Sequence, residues 1–337
     1  MVLQNRYEVM ALVEARMCNP NGDPDMNNLP RMDFATNQGV ITDVAFKARM
    51  REYVKEAYGE EDGLDILMVP CADLNKAIAS ASIQANGDVI AKGKNVENAA
   101  KLMCERYWDV RTFGGVLSTG LNAGQVRGAV QVGMALSVDS IEPQTSTITR
   151  RCYVSDVDAE KCKTKDEAMM KFEENAQKLA DDKKRTMGTK TYIPYGLYVL
   201  KLTVSANLAE KVGFTEDDFK ILLESVMQMY EIGFSSSKMG MAVLSPIVVF
   251  KHVGTNPSNP QSLAREAKLG CAPAYKLFDL LTIQRKEDVE VARSYQDYDI
   301  VFHLDELPAG VECGLKKVPY ADIEWVSVRK SVDLFQL

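Results

Sequence analysis

Residues 109–151 read DVRTFGGVLSTGLNAGQVRGAVQVGMALSVDSIEPQTSTITRR, and this stretch decides the fold. It opens with a glycine-rich tract, whose glycines are Gly114, Gly115, Gly120, Gly124 and Gly128. It continues into a run where apolar side chains alternate with polar or small ones, the apolar positions being Val126, Val130, Val132, Met134, Leu136 and Val138. A period of two over this length predicts one long strand, with one face on a core and the other presented outward.

Arginines flank this strand on both sides. Arg111 and Arg127 precede it, and Arg150 and Arg151 follow it. Glycines let a backbone approach a ligand closely, and guanidinium groups suit phosphates. The stretch therefore predicts a surface for a polyanion rather than a catalytic pocket.

Outward from this strand, the chain contains five further periodic segments. Residues 7–17, 195–206 and 241–252 predict strands. Residues 42–58 predict a helix capped by Thr42 or Asp43, and 215–232 predict a helix capped by Thr215. Pro246 places the last strand at an edge or a bulge. The order β-α-β-β-α-β predicts an α+β fold with a ferredoxin-like or RRM-like core, an arrangement whose open sheet face often carries RNA.

The segments between these elements are much longer than ordinary loops. Long insertions occupy residues 19–41, 59–125 and 139–194, so the predicted shape is a palm with fingers and a thumb. The third insertion is the thumb candidate, although residues 165–179 within it look helical. We assign 1–290 to the palm and its insertions, and leave 291–337 as an unassigned C-terminal extension.

Composition limits the classes of protein. The 337 residues contain no apolar run of membrane-spanning length and no signal peptide at the start. The seven cysteines are an odd number without a CxxC pair, which favours reduced thiols, a cytoplasmic location and no bound metal. The net charge of −7 is unusual for a nucleic-acid binder, but acidic and basic residues cluster separately, so one face can still bind a polyanion.

The first helix is the best nucleic-acid element. Phe46, Met50, Tyr53 and Ala57 form its predicted buried stripe, and a basic row of Lys47, Arg51 and Lys55 lies to one side of it. This row can follow a phosphate backbone or can be an ordinary solvated face. On the first interpretation, replacing Lys47 and Arg51 by alanine weakens RNA binding and costs little stability, because exposed charges contribute within about ±0.5 kcal/mol each.

Other chemistry-bearing patterns are weaker. The basic run at 183–190, which ends in Lys190, either contacts phosphates or is an exposed loop that is basic by chance. The turn-forming sequence NPNGDP at 19–24 is either a loop with tight turns or a ligand contact. GGVLSTG lacks the nucleotide-binding GxxxxGK[ST] pattern. His252 and His303 lie in or beside apolar strands, which favours structural roles, and Asp23 and Asp43 are typical of caps. Trp108 is expected in the core, and Tyr107 and Phe113 are candidates for base stacking.

These segments together resemble a known family. The chain is similar to the backbone subunit of the type I-C CRISPR interference complex (Cascade), the Csd-type member of the RAMP superfamily. The resemblance covers roughly residues 1–290 and rests on an ordered set of segments: NPNGDP at 19–24, ITDVAFKARMREYV at 41–54, DVRTFGG with GQVRGAVQ, STITRR at 146–151, TMGTKTYIPYGLY at 186–198 and APAYKLFD at 272–279.

The resemblance implies a non-catalytic protein without a cofactor or metal. It implies copies that polymerise head-to-tail along a CRISPR RNA, together with other type I-C subunits, and present the guide to target DNA. The RNA-contacting residues it indicates are Lys47 and Arg51 and, from the other matching segments, Arg111, Arg127, Arg150, Arg151 and Lys190. The basic row of the first helix adds Lys55 to the predicted RNA-binding residues. Two alternatives stay open: a RAMP-family ribonuclease acting on guide or target RNA, and a self-assembling protein that binds no nucleic acid.

Overall fold

The computed structural model of the chain describes residues 1–87, 95–179, 186–233 and 235–337. Its strands, in chain order, are β1 (Tyr7–Cys18), β2 (Gly22–Asp23), β3 (Leu29–Pro30), β4 (Gln38–Ile41), β5 (Gly115–Val116), β6 (Gln125–Val126), β7 (Val130–Val132), β8 (Ala135–Ser140), β9 (Gln144–Arg150), β10 (Thr186–Val204), β11 (Met241–His252), β12 (Leu281–Arg285), β13 (Tyr298–His303), β14 (Val311–Lys316), β15 (Glu324–Trp325) and β16 (Ser331–Asp333). Its helices are α1 (Asp43–Tyr58), α2 (Leu74–Ala85), α3 (Val96–Arg106), α4 (Trp108–Phe113), α5 (Lys165–Lys178), α6 (Ala206–Val212), α7 (Glu216–Gln228), α8 (Pro260–Leu269) and α9 (Ala274–Phe278). Within this described part, no helix has the length and apolar character needed to cross a membrane.

The centre of the molecule is an antiparallel sheet built around β1. This strand pairs with β10 on one side and β11 on the other, and β7 and β8 pair with the far side of β10. Helices α1 and α7 pack on one face of this sheet, where Val9, Ala11 and Val13 share a core with Phe46 and Leu222. The predicted ferredoxin-like, RRM-like β-α-β-β-α-β core is therefore confirmed.

Local chemistry explains the helix boundaries. The Thr42 hydroxyl accepts a hydrogen bond from the Ala45 amide and caps α1, while Thr215 and Asp218 form a reciprocal capping box at α7. The buried stripe of α1 differs from the prediction at its end, since Ala57 is exposed and Val54 is buried in its place. In the last turn of the helix, Tyr58 packs against the core.

The prediction of one continuous strand at 126–138 is wrong. It is divided into β6, β7 and β8 by breaks at 127–129 and 133–134. The second break shifts the alternation by one residue: Val130 and Val132 are buried, but beyond it Ala135 is buried while Met134 and Leu136 are exposed. A one-residue shift exchanges the two faces of a strand, so the predicted apolar face ends at Val132.

The glycine tract serves packing between two stretches of backbone. A Cβ on Gly128 would lie 2.3 Å from the Gly114 nitrogen and 2.4 Å from the Thr112 oxygen. Gly114 itself has a φ of +80°, which other residues rarely adopt. At Gly114 and Gly128, the backbone approaches another stretch of backbone and not a ligand. The absence of side chains allows the end of α4 to contact the β6–β7 connection closely.

Strand β10 begins nine residues before the predicted start at 195. Its residues 186–192 pair with β9 in antiparallel register, from Thr186 opposite Arg150 to Tyr192 opposite Gln144. We call this two-stranded element the arm. Helix α5, predicted at 165–179, lies between the two strands of the arm in the sequence.

The face of the sheet opposite the helices is covered. Met10, Leu12 and Phe250 share a second core with α9 and with the small β12–β13–β16 sheet. The expected open RRM-type face is therefore absent from the central strands. The proposed boundary at residue 290 falls between β12 and β13, which are paired strands of one sheet, and β14 extends the main sheet beside β11.

Strand β11 is an interior strand, since it lies between β1 and β14. Its pairing with β1 nevertheless shifts register between Met10 and Leu12, whose partners are Val248 and Leu244. Pro246 lies within this shift. Of the two predicted alternatives for Pro246, the bulge is confirmed.

Candidate nucleic-acid interface

The basic row on α1 exists, but each of its cations is paired within the protein. Lys47 Nζ lies 2.8 Å from Asp43, and Arg51 Nε lies 2.8 Å from Asp109. Lys55 Nζ lies 2.7 Å from Asp65. The row is therefore a set of compensated charges, and a phosphate has to compete with a carboxylate for each of them.

Arg51 is the most constrained member of this row. Its side chain is only 15% exposed, and its guanidinium lies 5.1 Å from the centre of the Phe113 ring. Its partner Asp109 is 1% exposed and also accepts hydrogen bonds from the Leu67 and Met68 amides. Arg51 thus joins α1 to α4 and to the segment at 66–69, and the expectation that its removal costs little stability is not supported.

A groove of about 930 Å³ runs along the exposed side of α1. Asn21 of the loop at 19–24 lines one side of it, and the segment at 68–70 lines the other. Its basic lining residues are Arg49, Arg51, Lys55 and Lys238. We call it the α1 groove. It can hold an extended anionic chain, but the acidic Glu52 and Glu56 also line it, so its net charge is only weakly positive.

Lys238 is a groove residue that the sequence reasoning missed. Its Nζ donates to the carbonyl oxygens of Asn19, at 2.7 Å, and Pro20. Burial, with a smaller contribution from the nearby Arg49 charge, lowers the pKa of Lys238 to about 8. The residue stands alone in GFSSSKMG, where no periodic pattern or basic neighbour marks it.

The loop at 19–24 is held in place by its own polar side chains. The Asn21 side-chain oxygen accepts hydrogen bonds from both the amide and the hydroxyl of Thr42, so the loop is fixed against the start of α1. The buried side-chain oxygen of Asn19 has no hydrogen-bond partner among the residues the structure describes. The predicted turn-former is therefore also a wall of the α1 groove.

Arg111 and Arg127 have opposite environments. Arg111 is buried on α4, where its guanidinium contacts Asp218 at 2.6 Å and donates to the carbonyl oxygens of Gly63 and Cys104. Its donors are used internally, so the structure gives it a structural role in place of the predicted RNA contact. Arg127 is exposed, and its Cα lies 3.4 Å from where a Cβ of Gly114 would be.

The arm carries the remaining predicted cations. Arg150 on β9 lies opposite Thr186 on β10, and Lys190 lies on β10 four residues after Thr186. Side chains four residues apart on a strand point to the same face, so Arg150 and Lys190 share one face of the arm. Arg151 follows directly and is exposed. The other face consists of small hydroxyls and one methionine: Thr145, Thr147, Thr149, Met187, Thr189 and Thr191. The more upstream cations of the predicted run, at 183–185, lie outside the described residues.

The candidates for other chemistry have structural roles. His252 Nε2 lies 2.6 Å from Glu8 in the interior, and His303 contacts the hydroxyls of Thr282 and Ser331. Asp43 pairs with Lys47, and Asp23 pairs with Arg31. No group of three or more His, Cys, Asp or Glu side chains placed to hold a metal is found in the part of the chain that is described.

The aromatic candidates for base stacking are also accounted for by packing. Trp108 is fully buried, as predicted, and meets Phe113 edge-on with ring centres 5.5 Å apart. Phe113 is buried and lies beneath the Arg51 guanidinium. Tyr107 is half-buried and packs beside the small core formed by α2 and α3.

The chain thus has a palm built on a ferredoxin-like sheet, a groove along the first helix of that palm and a two-stranded arm. The family model described as CRISPR-associated protein Cas7 matches residues 5–303. The chain therefore belongs to the Cas7 family of CRISPR-associated proteins.

A CRISPR-associated protein Cas7 from Haloferax volcanii is 32% identical over 120 residues, which is 35% of this chain and 34% of that protein. The match thus spans about a third of the length of this curated relative.

Among solved structures, the chain is similar to a chain of a CRISPR RNA-guided surveillance complex described as pre-nicking, with 12% identity and a TM-score of 0.45 over 80% of this chain and 83% of that one. It is also similar to a chain of a type III-B Cmr-beta complex bound to cognate target RNA, with 13% identity and a TM-score of 0.38 over 73% and 61% of the two chains.

Proposed function

We propose that this chain is the guide-RNA-coating backbone subunit of a type I-C CRISPR interference complex. In this role, copies assemble head-to-tail along one CRISPR RNA and present it for pairing with target DNA, alongside other subunits of the complex. Membership of the Cas7 family supports the general role. The type I-C assignment rests on the ordered set of sequence segments described above.

The observation that carries the proposal is the contrast between paired and unpaired cations. Within the described residues, Arg127, Arg150, Arg151 and Lys190 form no ion pair with a carboxylate, whereas the cations of α1 and Arg111 do. Unpaired cations are the ones that can neutralise phosphates with little competition. They lie on the arm and next to the end of α4, so a guide strand that contacts both would cross the palm.

The arm also needs a partner. Its two strands expose both faces, with the Ile148 side chain 53% and the Met187 side chain 75% exposed. A two-stranded ribbon is marginally stable by itself in water. Guide RNA together with the next copy of the chain would cover it, and a contact between unlike surfaces that does not close into a ring produces an open helix. The thumb role of residues 139–194 is part of this proposal.

The proposal predicts binding without base specificity. Lysine, arginine and threonine side chains contact phosphates and sugars, which carry no sequence information. Any guide sequence can then be accepted, and the choice of target is left to base pairing. Binding should be strong, indifferent to sequence and steeply weakened by salt.

Purified full-length chain should be titrated with unrelated single-stranded RNAs of equal length across a salt series, and also incubated with labelled repeat and target RNA with and without Mg²⁺. We expect similar affinities for all sequences, a linear fall of log affinity with log salt, and intact RNA. A flat salt response or a strong preference among RNAs would contradict the coating role. Cleavage that requires Mg²⁺ would favour the alternative, a RAMP-family ribonuclease, and contradict the absence of catalysis.

A further inference from the structure

The arm is held at its root by hydrogen bonds from two separate parts of the palm. Of the arm residues 144–150 and 186–192, all of which the structure describes, Thr191 alone is buried, with 8% of its surface exposed. It lies opposite Thr145, at the end of the arm that adjoins the palm. The other arm residues are half-buried or exposed, so the contacts that fix the direction of the arm have to act at this end.

The first root contact joins the arm to the loop at 19–28. The Thr191 hydroxyl donates to the Asn28 carbonyl oxygen at 2.6 Å and accepts a hydrogen bond from the Asn19 side-chain nitrogen at 3.3 Å. The same nitrogen donates to the Asn28 carbonyl oxygen at 2.7 Å, so the three residues form a closed cluster. Because this loop is also fixed to the start of α1, Thr191 ties one strand of the arm to a fixed part of the palm.

The second root contact joins the chain leading into the other arm strand to the small covering sheet. Asp139, near the end of β8, accepts a hydrogen bond from the Tyr298 hydroxyl at 2.9 Å and lies 3.4 Å from the Arg285 guanidinium. Arg285 and Tyr298 are partners in the pairing of β12 with β13, and Tyr298 belongs to the second core. Burial, followed by the Asp139 hydrogen bond, raises the pKa of the Tyr298 hydroxyl, so this group stays a donor at neutral pH.

The two root contacts together restrict how the arm can move. Thr191 holds β10, and Asp139 holds the segment that leads into β9, so a swing of the arm about its root has to break at least one of them. Thr191 also lies on the face of the arm opposite to Arg150 and Lys190. Its contact with the loop therefore leaves the cation-bearing face free.

We propose that Thr191 and Tyr298 are positioning residues, which fix the direction of the arm before RNA binds and do not contact RNA themselves. This inference rests on the proposed RNA-binding role of the arm. An arm that is already oriented brings Arg150, Arg151 and Lys190 to the phosphates without the loss of conformational freedom that ordering a mobile arm on binding would cost. The root contacts then contribute to the affinity, while the arm cations determine its dependence on salt.

The direction of the arm can be measured in the free, full-length chain through two native cysteines. Cys152 follows the far end of β9, and Cys71 lies on the palm beside the segment that lines the α1 groove. Both are exposed, whereas Cys18, Cys104 and Cys313 are buried. With Cys162 and Cys271 replaced by serine, nitroxide labels on Cys71 and Cys152 report the arm–palm distance by double electron–electron resonance. We expect a narrow distance distribution in this background.

Matched substitutions remove each hydrogen bond with little change in shape. Thr191→Val keeps a β-branched side chain, and the Asn28 carbonyl oxygen keeps its bond from Asn19, so the chain should fold and the arm–palm distance distribution should become broader. Thr191→Ser retains the hydroxyl and should retain the narrow distribution. Tyr298→Phe removes the second contact independently and should also broaden the distribution. Thr119→Val, at an exposed threonine outside the arm, is the control and should have no effect.

Salt titrations with single-stranded RNA separate positioning from contact. Thr191→Val and Tyr298→Phe should each lower the affinity about three- to tenfold, because the arm then has to be ordered on binding. The slope of log affinity against log salt should stay that of the wild type, since the same phosphates are neutralised. Thr191→Ser should bind RNA like the wild type.

The proposal is overturned if Thr191→Val and Tyr298→Phe keep the narrow distribution, if Thr191→Ser broadens it as much as Thr191→Val does, or if the salt slope falls together with the affinity. If Thr191→Val does not fold, Tyr298→Phe decides. A wild-type chain that binds no RNA contradicts the proposed function, and with it the role of the root contacts in RNA binding, whereas the distance distributions still decide whether these contacts orient the arm.

Discussion

The α1 groove and the arm both carry cations predicted to contact RNA, but they differ in how those cations are held. In the groove, Arg51 and Lys55 are bonded to Asp109 and Asp65. On the arm, Arg150 and Lys190 share a face without a carboxylate partner in the described residues. Arg51 is thus fixed by the fold and Lys55 is partly neutralised, whereas the arm cations are available but loosely held.

This difference shows why a basic residue is weak evidence for a binding site. A cation bonded to a buried carboxylate contributes mainly to stability, because its removal leaves an unpaired charge in the interior. An exposed cation contributes little to stability and can contribute fully to counterion release. The two regions should therefore respond in opposite ways to the same substitution.

The largest effect should come from Arg111, the most buried of the predicted cations. Arg111→Ala leaves Asp218 unpaired inside the protein and should lower the free energy of unfolding by about 3–5 kcal/mol. Arg127→Ala is the matched control, since it removes an exposed arginine from the same glycine-rich region and should change stability by less than about 0.5 kcal/mol. Urea unfolding measures both. Equal losses in the two variants would contradict the distinction between paired and unpaired cations.

The next largest effect should be the loss of RNA affinity when the arm is neutralised. The triple variant Arg150→Ala, Arg151→Ala, Lys190→Ala should reduce the salt slope for single-stranded RNA by about two, because each phosphate contact contributes roughly 0.7. The melting temperature should stay near that of the wild type. Lys276→Ala, an exposed cation on α9, is the control for a general charge effect. An unchanged salt slope in the triple variant would remove the arm from the interface.

The comparison also shows what the sequence can and cannot predict. The caps and apolar stripes of α1 and α7, and the mostly apolar run of β1, are local patterns, so the core and its order could be predicted. Pairing of charges is not local: Arg51 and Asp109 are 58 residues apart, and Arg111 and Asp218 are 107 apart. Without these partners, buried and exposed arginines look the same in the sequence.

The arm could not be predicted for a related reason. Both of its faces are solvent-accessible, so STITRR and TMGTK lack the alternation that marks a half-buried strand. The covering of the sheet by β12, β13 and β16 was missed because alternation reports that a face is buried, not which element buries it. Lys238 was missed because a single lysine in a serine-rich loop has no pattern.

A smaller effect, the change of RNA affinity with pH, should distinguish the groove from the arm. The lowered pKa of Lys238, about 8, means that this lysine loses its charge as the pH rises from 7 to 9. If the groove holds phosphates, RNA affinity should fall by up to about tenfold over this range, since one charge-assisted contact is lost. Lys238→Arg should make the affinity independent of pH, because arginine stays charged.

The arm triple variant provides the matching control for this pH experiment. It should retain the same relative fall in affinity between pH 7 and 9, because Lys238 is unchanged in it. A wild-type affinity that does not vary over this range would show that RNA does not contact Lys238.

The smallest effect should be on stability, in Lys47→Ala. Lys47 and Asp43 are partly exposed partners one helical turn apart on α1, and pairs of this kind contribute about 0.3–0.5 kcal/mol. Arg51→Ala, on the same helix flank, should cost several times more, because Asp109 is buried and also holds the Leu67 and Met68 amides. Thermal and urea unfolding of the two single variants measure this difference. Because the fold of Lys47→Ala should be intact, RNA titrations of this variant then show whether Lys47 contacts RNA, free of any effect of unfolding. Unchanged RNA affinity in Lys47→Ala would assign the basic row of α1 to an ordinary solvated face, and equal stability losses in the two variants would mean that the Asp109 contact does not hold α1 in place.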